Sequence, residues 1–161
     1  SRMDIIVASS PGYAASSPVL SARRDKVRVI PFGLDRTTYP PPDDARLAYW
    51  RARVGEQFFL FVGALRYYKG LDYLLQAVEG TGLPLVICGG GDDETQARLA
   101  RAAHANPNIH VVGALSDEDK IALLMLCRAM VLPSHLRSEA FGVSLLEAAM
   151  FARPMICCEI G

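Results

Sequence analysis

Seven short apolar runs set the limits on how this chain can fold. They are DIIVAS (4–9), VRVIP (27–31), FFLFVG (58–63), LPLVICG (83–89), IHVVG (109–113), AMVLP (129–133) and PMICC (154–158). Runs of this length suit strands, and most are continuous rather than alternating, as expected of strands covered on both faces. From the third onward they start at 58, 83, 109, 129 and 154. The gaps hold helical patterns: LDYLLQAVEG, DETQARLARAAHA, SDEDKIALLMLCRA and GVSLLEAAMFA. Strand and helix in alternation predict α/β architecture, a Rossmann-like doubly wound parallel sheet with right-handed connections.

The first part of the chain breaks this rhythm. TTYPPPDD (37–44) is turn-rich. Residues 1–25 read as a remnant of a preceding domain with its linker, and 26–161 as a ligand-binding domain truncated at its C-terminus, because a further βα unit is expected after residue 161. Lys and Arg number 17, as do Asp and Glu, so the formal net charge is zero. That balance offers no surface for nucleic acid, and any anion must be held by local placement. Cys88, Cys127, Cys157 and Cys158 form no C-x-x-C pair, and reduced thiols are the expectation. No apolar run approaches the roughly 18 residues of a transmembrane segment. The leading SRMDIIVASS lacks the order of a signal peptide, which points to the cytoplasm.

Ligands of open parallel sheets sit beyond the carboxyl ends of the strands. Those ends fall at 63–69, 89–93, 113–117 and 133–142. GGGDDE (89–94) does not satisfy G-x-G-x-x-G, and Asp92, Asp93 and Glu94 at the next helix start would repel a pyrophosphate. Gly89 could still meet an uncharged part of a ligand, although a tight βα turn alone explains such glycines. Asp117-Glu118-Asp119 spells D-x-D, a possible metal clamp, but Ser116 followed by Asp119 fits an N-cap with an acidic third position. No metal site is expected. His104, His110 and His135 are scattered.

Two loops carry charge suited to phosphate. GALRYYKG (63–70) sets Arg66 and Lys69 after a buried strand. Arg can fork two phosphate oxygens, and Lys acts as a point charge. In PSHLRSEAFG (133–142), Gly142 opens a helix whose first amides form a ready anion site. Glu139 lies on that loop, and Glu147 falls mid-helix on an otherwise apolar surface. A buried carboxylate needs a partner. Glu147 either pairs with a buried Arg or Lys, or both glutamates accept hydrogen bonds from the hydroxyls of a polyol ligand.

In order, F-V-G-x-L-R-Y-Y-K-G (61–70), G-G-G (89–91), N-I-H-V-V-G (108–113), P-S (133–134), E-A-F-G-V-S-L-L-E (139–147) and R-P-M-I (153–156) resemble the C-terminal half of retaining family 4 glycosyltransferases of the GT-B fold. The E-x7-E pair, Glu139 and Glu147, is the most specific element. V-R-V-I-P-F-G-L-D (27–35) is similar to the family's interdomain connector. The resemblance implies a nucleotide-sugar donor held by this half and a glycan or lipid-linked acceptor held by an N-terminal half. Lys69 then matches the lysine on the donor diphosphate. Glu139 matches the glutamate touching the donor sugar, and Glu147 the one holding the ribose hydroxyls. Ala140, Phe141 and Gly142 match the loop whose amides meet sugar and phosphate. Leu115, Asp117 and Lys120 fall where the family contacts the base.

The chain departs from the pattern at two places. Many members carry arginine where Ala64 stands, and Arg66 is the expected substitute. Members commonly have glycine in place of Ala152. The implied chemistry is metal-independent transfer with retention, in which Lys69, Arg66 and the amides near Gly142 stabilise the leaving diphosphate. The particular motif versions resemble bacterial transferases that build surface polysaccharides, which implies GDP-mannose as donor and a site of action at the inner membrane face. The alternatives are a GT-B-like sugar-nucleotide epimerase and a non-catalytic nucleotide-binding α/β module.

Overall fold

The computed structural model describes residues 3–139 and 141–160. All seven apolar runs form strands. The first two, β1 (Ile6–Ala8) and β2 (Val27–Val29), pair in parallel as a separate two-stranded sheet. Between them lie the short helices α1 (Pro11–Ser16) and α2 (Pro18–Ser21), each opened by a serine side chain and a proline in the first turn. By pairing, β2 therefore goes with the leading segment.

A helix that the sequence reading leaves out follows: α3 (Asp44–Val54). Asp43 caps it, accepting from the Arg46 amide at 2.7 Å, and Gly55 ends it at φ 79°. Only Trp50 and Val54 on it are buried, so its apolar face is narrow.

The remaining strands are β3 (Phe59–Val62), β4 (Leu85–Cys88), β5 (Ile109–Gly113), β6 (Ala129–Leu132) and β7 (Met155–Cys157). The helices α4 (Leu71–Val78), α5 (Asp93–Ala105), α6 (Asp117–Leu126) and α7 (Val143–Met150) connect them in alternation. The sheet order is β5-β4-β3-β6-β7, parallel throughout. This is the α/β class expected.

Alternation along the strands divides the core. Leu60, Val62, Val86, Cys88 and Met130 face Trp50 and Val54 of α3 and the apolar side of α6. Phe61, Leu85, Ile87 and Val131 face Leu71, Leu74 and Val78 of α4 and Leu99 of α5. The chain runs outward from β3 through β4 to β5, then returns to lay β6 against the other side of β3. That reversal opens a crevice between the loops after β3 and β6, where open α/β sheets hold ligands. Among the described residues, no helix is long and apolar enough to cross a membrane.

Candidate functional site at the sheet's reversal point

The β3 loop bends into a 3-10 turn at Tyr67–Lys69 and enters α4 through Gly70. Gly70 has φ +71°, and a Cβ there would stand 2.0 Å from the Pro133 carbonyl oxygen. The Tyr68 carbonyl accepts from the His135 amide at 3.0 Å. The two loops thus touch backbone to backbone, which brings Lys69 to Glu139.

Lys69 Nζ and a Glu139 carboxylate oxygen, Oε2, form an ion pair whose side chains are 12% and 14% exposed. The Ser134 hydroxyl donates to the same oxygen at 3.0 Å, and the Gly142 amide donates to Oε1 at 3.1 Å. Glu139 is therefore held from three sides. Lys69 Nζ passes close over Gly63, within ordinary contact distance (3.8 Å) of where a Cβ would stand.

Gly142 caps α7 at φ 77°, and the first turn of that helix carries no acid. Free amides and the helix dipole favour an anion there. Phe141 meets Phe32 edge to face, with ring centroids 5.2 Å apart. Phe32, Gly63, Lys69, Glu139, Gly142 and Glu147 all border one cavity of about 420 Å³.

Glu147 is 7% exposed and is paired within the protein. Its Oε1 accepts from Lys120 Nζ at 2.8 Å and from the Tyr39 hydroxyl at 3.0 Å. Lys120 also bridges Asp117 at 2.9 Å. Of the two readings of Glu147, the protein cation is the one this structure displays. Burial pulls the Lys120 ammonium toward neutrality, but hydrogen bonds to Glu147 and Asp117, with their charges, outweigh it and raise its pKa. Burial raises the Tyr39 pKa too, reinforced by the Glu147 carboxylate. The hydrogen bond from Lys120 holds Asp117 below the ordinary carboxylate range.

Other expected residues stand apart from this cluster. Arg66 is exposed, does not border the cavity, and acts electrostatically on Asp92. Gly89 is accounted for by packing: a Cβ there would lie 1.9 Å from the Gly63 carbonyl oxygen. Leu115 packs against the α3–α6 side of the core. Asp92 caps α5 and Ser116 caps α6, accepting from the Thr95 and Asp119 amides at 2.8 and 3.2 Å. Ala140 lies outside the described residues. Among the described residues, no group of three or more His, Cys, Asp or Glu is placed to hold a metal ion.

Sequence reasoning missed three contributors. Ser134, five residues before Glu139 on the same loop, was within its reach. Phe32 and Tyr39 were not, because their partners lie more than a hundred residues away with no pattern linking them.

The parallel sheet and its reversal point are those of one half of a GT-B glycosyltransferase. The chain superposes on Anabaena Alr3699/HepE in complex with UDP and glucose with a TM-score of 0.80 at 17% identity, covering 98% of this chain and 45% of that one. Sucrose-phosphate synthase from Thermosynechococcus elongatus gives 0.79 at 23% identity, covering 99% and 42%. Residues 48–161 match the glycosyl transferases group 1 family, and the chain belongs to it. It is 54% identical over 159 residues to the D-rhamnosyltransferase WbpZ of Pseudomonas aeruginosa, covering 99% of this chain and 42% of that protein. It is 55% identical over 159 residues to the O-antigen chain mannosyltransferase C of Escherichia coli, covering 99% and 43%. The chain thus spans less than half the length of these curated relatives.

Proposed function

We propose that this chain forms the donor-binding half of a retaining, family 4 type transferase that moves mannose, or a sugar of the same configuration, from a nucleoside-diphosphate sugar to a glycan or lipid-linked acceptor in surface-polysaccharide synthesis. The observation that carries this reading is the Lys69–Glu139–Gly142 cluster beside the cavity at the sheet's reversal point. The donor sugar class is supported by the two relatives above, a mannosyltransferase and a rhamnosyltransferase, since D-rhamnose is 6-deoxy-D-mannose. GDP-mannose is the donor we favour. Acceptor binding belongs to a companion half.

In this reading the diphosphate lies against Lys69 and the first amides of α7, which stabilise the charge developing as it departs. Arg66, on the same loop as Lys69, is the second cation proposed for that charge, although it does not border the cavity. Glu139 orients the sugar. Both its oxygens already accept hydrogen bonds, which makes it a poor nucleophile and a firm anchor. Attack then comes from the acceptor hydroxyl on the face the diphosphate leaves. The bond from C1 to the phosphate oxygen breaks, the bond from C1 to the acceptor oxygen forms, and the acceptor proton passes to the departing phosphate. The diphosphate's charge is assigned to protein groups rather than to a divalent ion, so EDTA should leave the rate unchanged. The reaction takes place on the cytoplasmic side of the inner membrane, a setting in keeping with free thiols at all four cysteines.

Calorimetry of the intact transferase with GDP, UDP, ADP and NAD tests the reading. Binding of one nucleoside diphosphate is expected, and preference for NAD would overturn it. Glu139→Gln should leave nucleotide affinity nearly intact and lower kcat by about 10- to 100-fold. Unchanged turnover would remove its role.

A further inference from the structure

With Glu147 taken as the ribose-binding carboxylate, the role that the E-x7-E resemblance implies and on which this inference rests, something must hold that carboxylate at a fixed rotation. The terminal torsion of a glutamate is broad and selects no single plane by itself. In this structure two donors meet on one oxygen, Oε1: Lys120 Nζ at 2.8 Å and the Tyr39 hydroxyl at 3.0 Å. Lys120 Nζ also stands 5.6 Å from the centroid of the Tyr39 ring, so ring, ammonium and carboxylate close a triangle. The two donors do different work. An ammonium on a flexible stem is a point charge with rotatable donors and sets little direction. A phenol hydroxyl on a rigid ring does set direction.

We propose that Tyr39 is a positioning residue of the donor site: its hydroxyl, with Lys120, fixes the Glu147 carboxylate for the vicinal 2′- and 3′-hydroxyls of the donor ribose. Tyr39 reaches Glu147 from the segment joining the two sheets, and it acts on the donor only through that carboxylate. Removing the hydroxyl leaves the ring and Lys120 in place, so charge and packing persist while orientation is lost. The loss should therefore appear only with ligands that have ribose hydroxyls to offer.

The test uses the intact transferase with GDP and 2′,3′-dideoxy-GDP as probes. Tyr39→Phe should weaken GDP binding and raise the donor KM by about 5- to 10-fold, within the range of one ordinary hydrogen bond, while kcat stays within about twofold. Binding of the dideoxy probe should not change. The combined Tyr39→Phe and Glu147→Ala variant should be no weaker than Glu147→Ala alone, because the hydroxyl acts through the carboxylate. The readout is a ratio of two affinities, so partial unfolding of a variant leaves it intact. Equal weakening of both probes, or additive losses in the double variant, would overturn the positioning role and leave the donor assignment standing. If Glu147→Ala itself weakens GDP and the dideoxy probe equally, the ribose assignment of Glu147 falls, and the role of Tyr39 with it.

Discussion

A methyl group at position 89 would sit 1.9 Å from a carbonyl oxygen, with Gly89 itself at φ +152°. Both terms oppose a side chain, so Gly89→Ala should lower stability by about 2–4 kcal/mol, read as a fall in Tm. Ala152 presents the opposite case. It adopts φ 52°, a left-handed conformation that costs an L-residue about 1 kcal/mol. A glycine, which the resemblance leads one to expect there, would avoid that cost, and Ala152→Gly should raise stability by about 1 kcal/mol in thermal or urea unfolding. The cysteines divide in the same physical way. Burial pushes the Cys88 and Cys127 thiols up to about 11, while Cys157 and Cys158 are exposed. The thiolate is the reactive form. A chromogenic disulfide at pH 8 should consume Cys157 and Cys158 quickly and reach the other two only on unfolding.

Asp119 shows how one carboxylate can dock two helices. It accepts from Arg46 Nη1 at 2.7 Å and from the fully buried Trp50 indole at 2.9 Å, joining α3 to α6. Burial works against its charged form, but hydrogen bonds from Trp50, Ser116 and Arg46 prevail and lower its pKa. A carboxylate with a depressed folded pKa stabilises above its unfolded value, and that share is lost as pH falls through the folded one. Stability should therefore decline below about pH 4. Asp119→Ala should cost about 1–3 kcal/mol by stranding the indole N–H, and the acid-dependent part of the decline should shrink with it. The strands of both sheets were legible in the sequence because apolar runs of strand length have no competing reading between helical patterns. The helix α3 was not, since only Trp50 and Val54 on it are buried and its surface is largely charged; Asp43 and Gly55 at its ends were the available signals. Within the site, Lys69, Glu139 and Gly142 were legible from their place at strand ends. Pairing of Glu147 with a buried cation was one of the two readings the sequence offered, but its partners were not legible, because Lys120 and Tyr39 converge on it only after the sheet is built.

At the scale of the molecule, burial is uneven. β4 and β6 are buried at every position and β3 nearly so, whereas every residue of β7 is exposed. The small sheet has two strands of three residues with Ala8 alone buried, and two-stranded sheets are marginal by themselves. Hydrogen exchange should protect the amides of β3 and β4 by orders of magnitude more than those of β1 and β2. Equal protection would mean that the two sheets open as a unit. Between them runs a tether fastened at two points, Phe32 against Phe141 and Tyr39 on Glu147. Both fastenings land on the short stretch that opens and carries α7, so the link between the sheets and one wall of the hollow share the same residues.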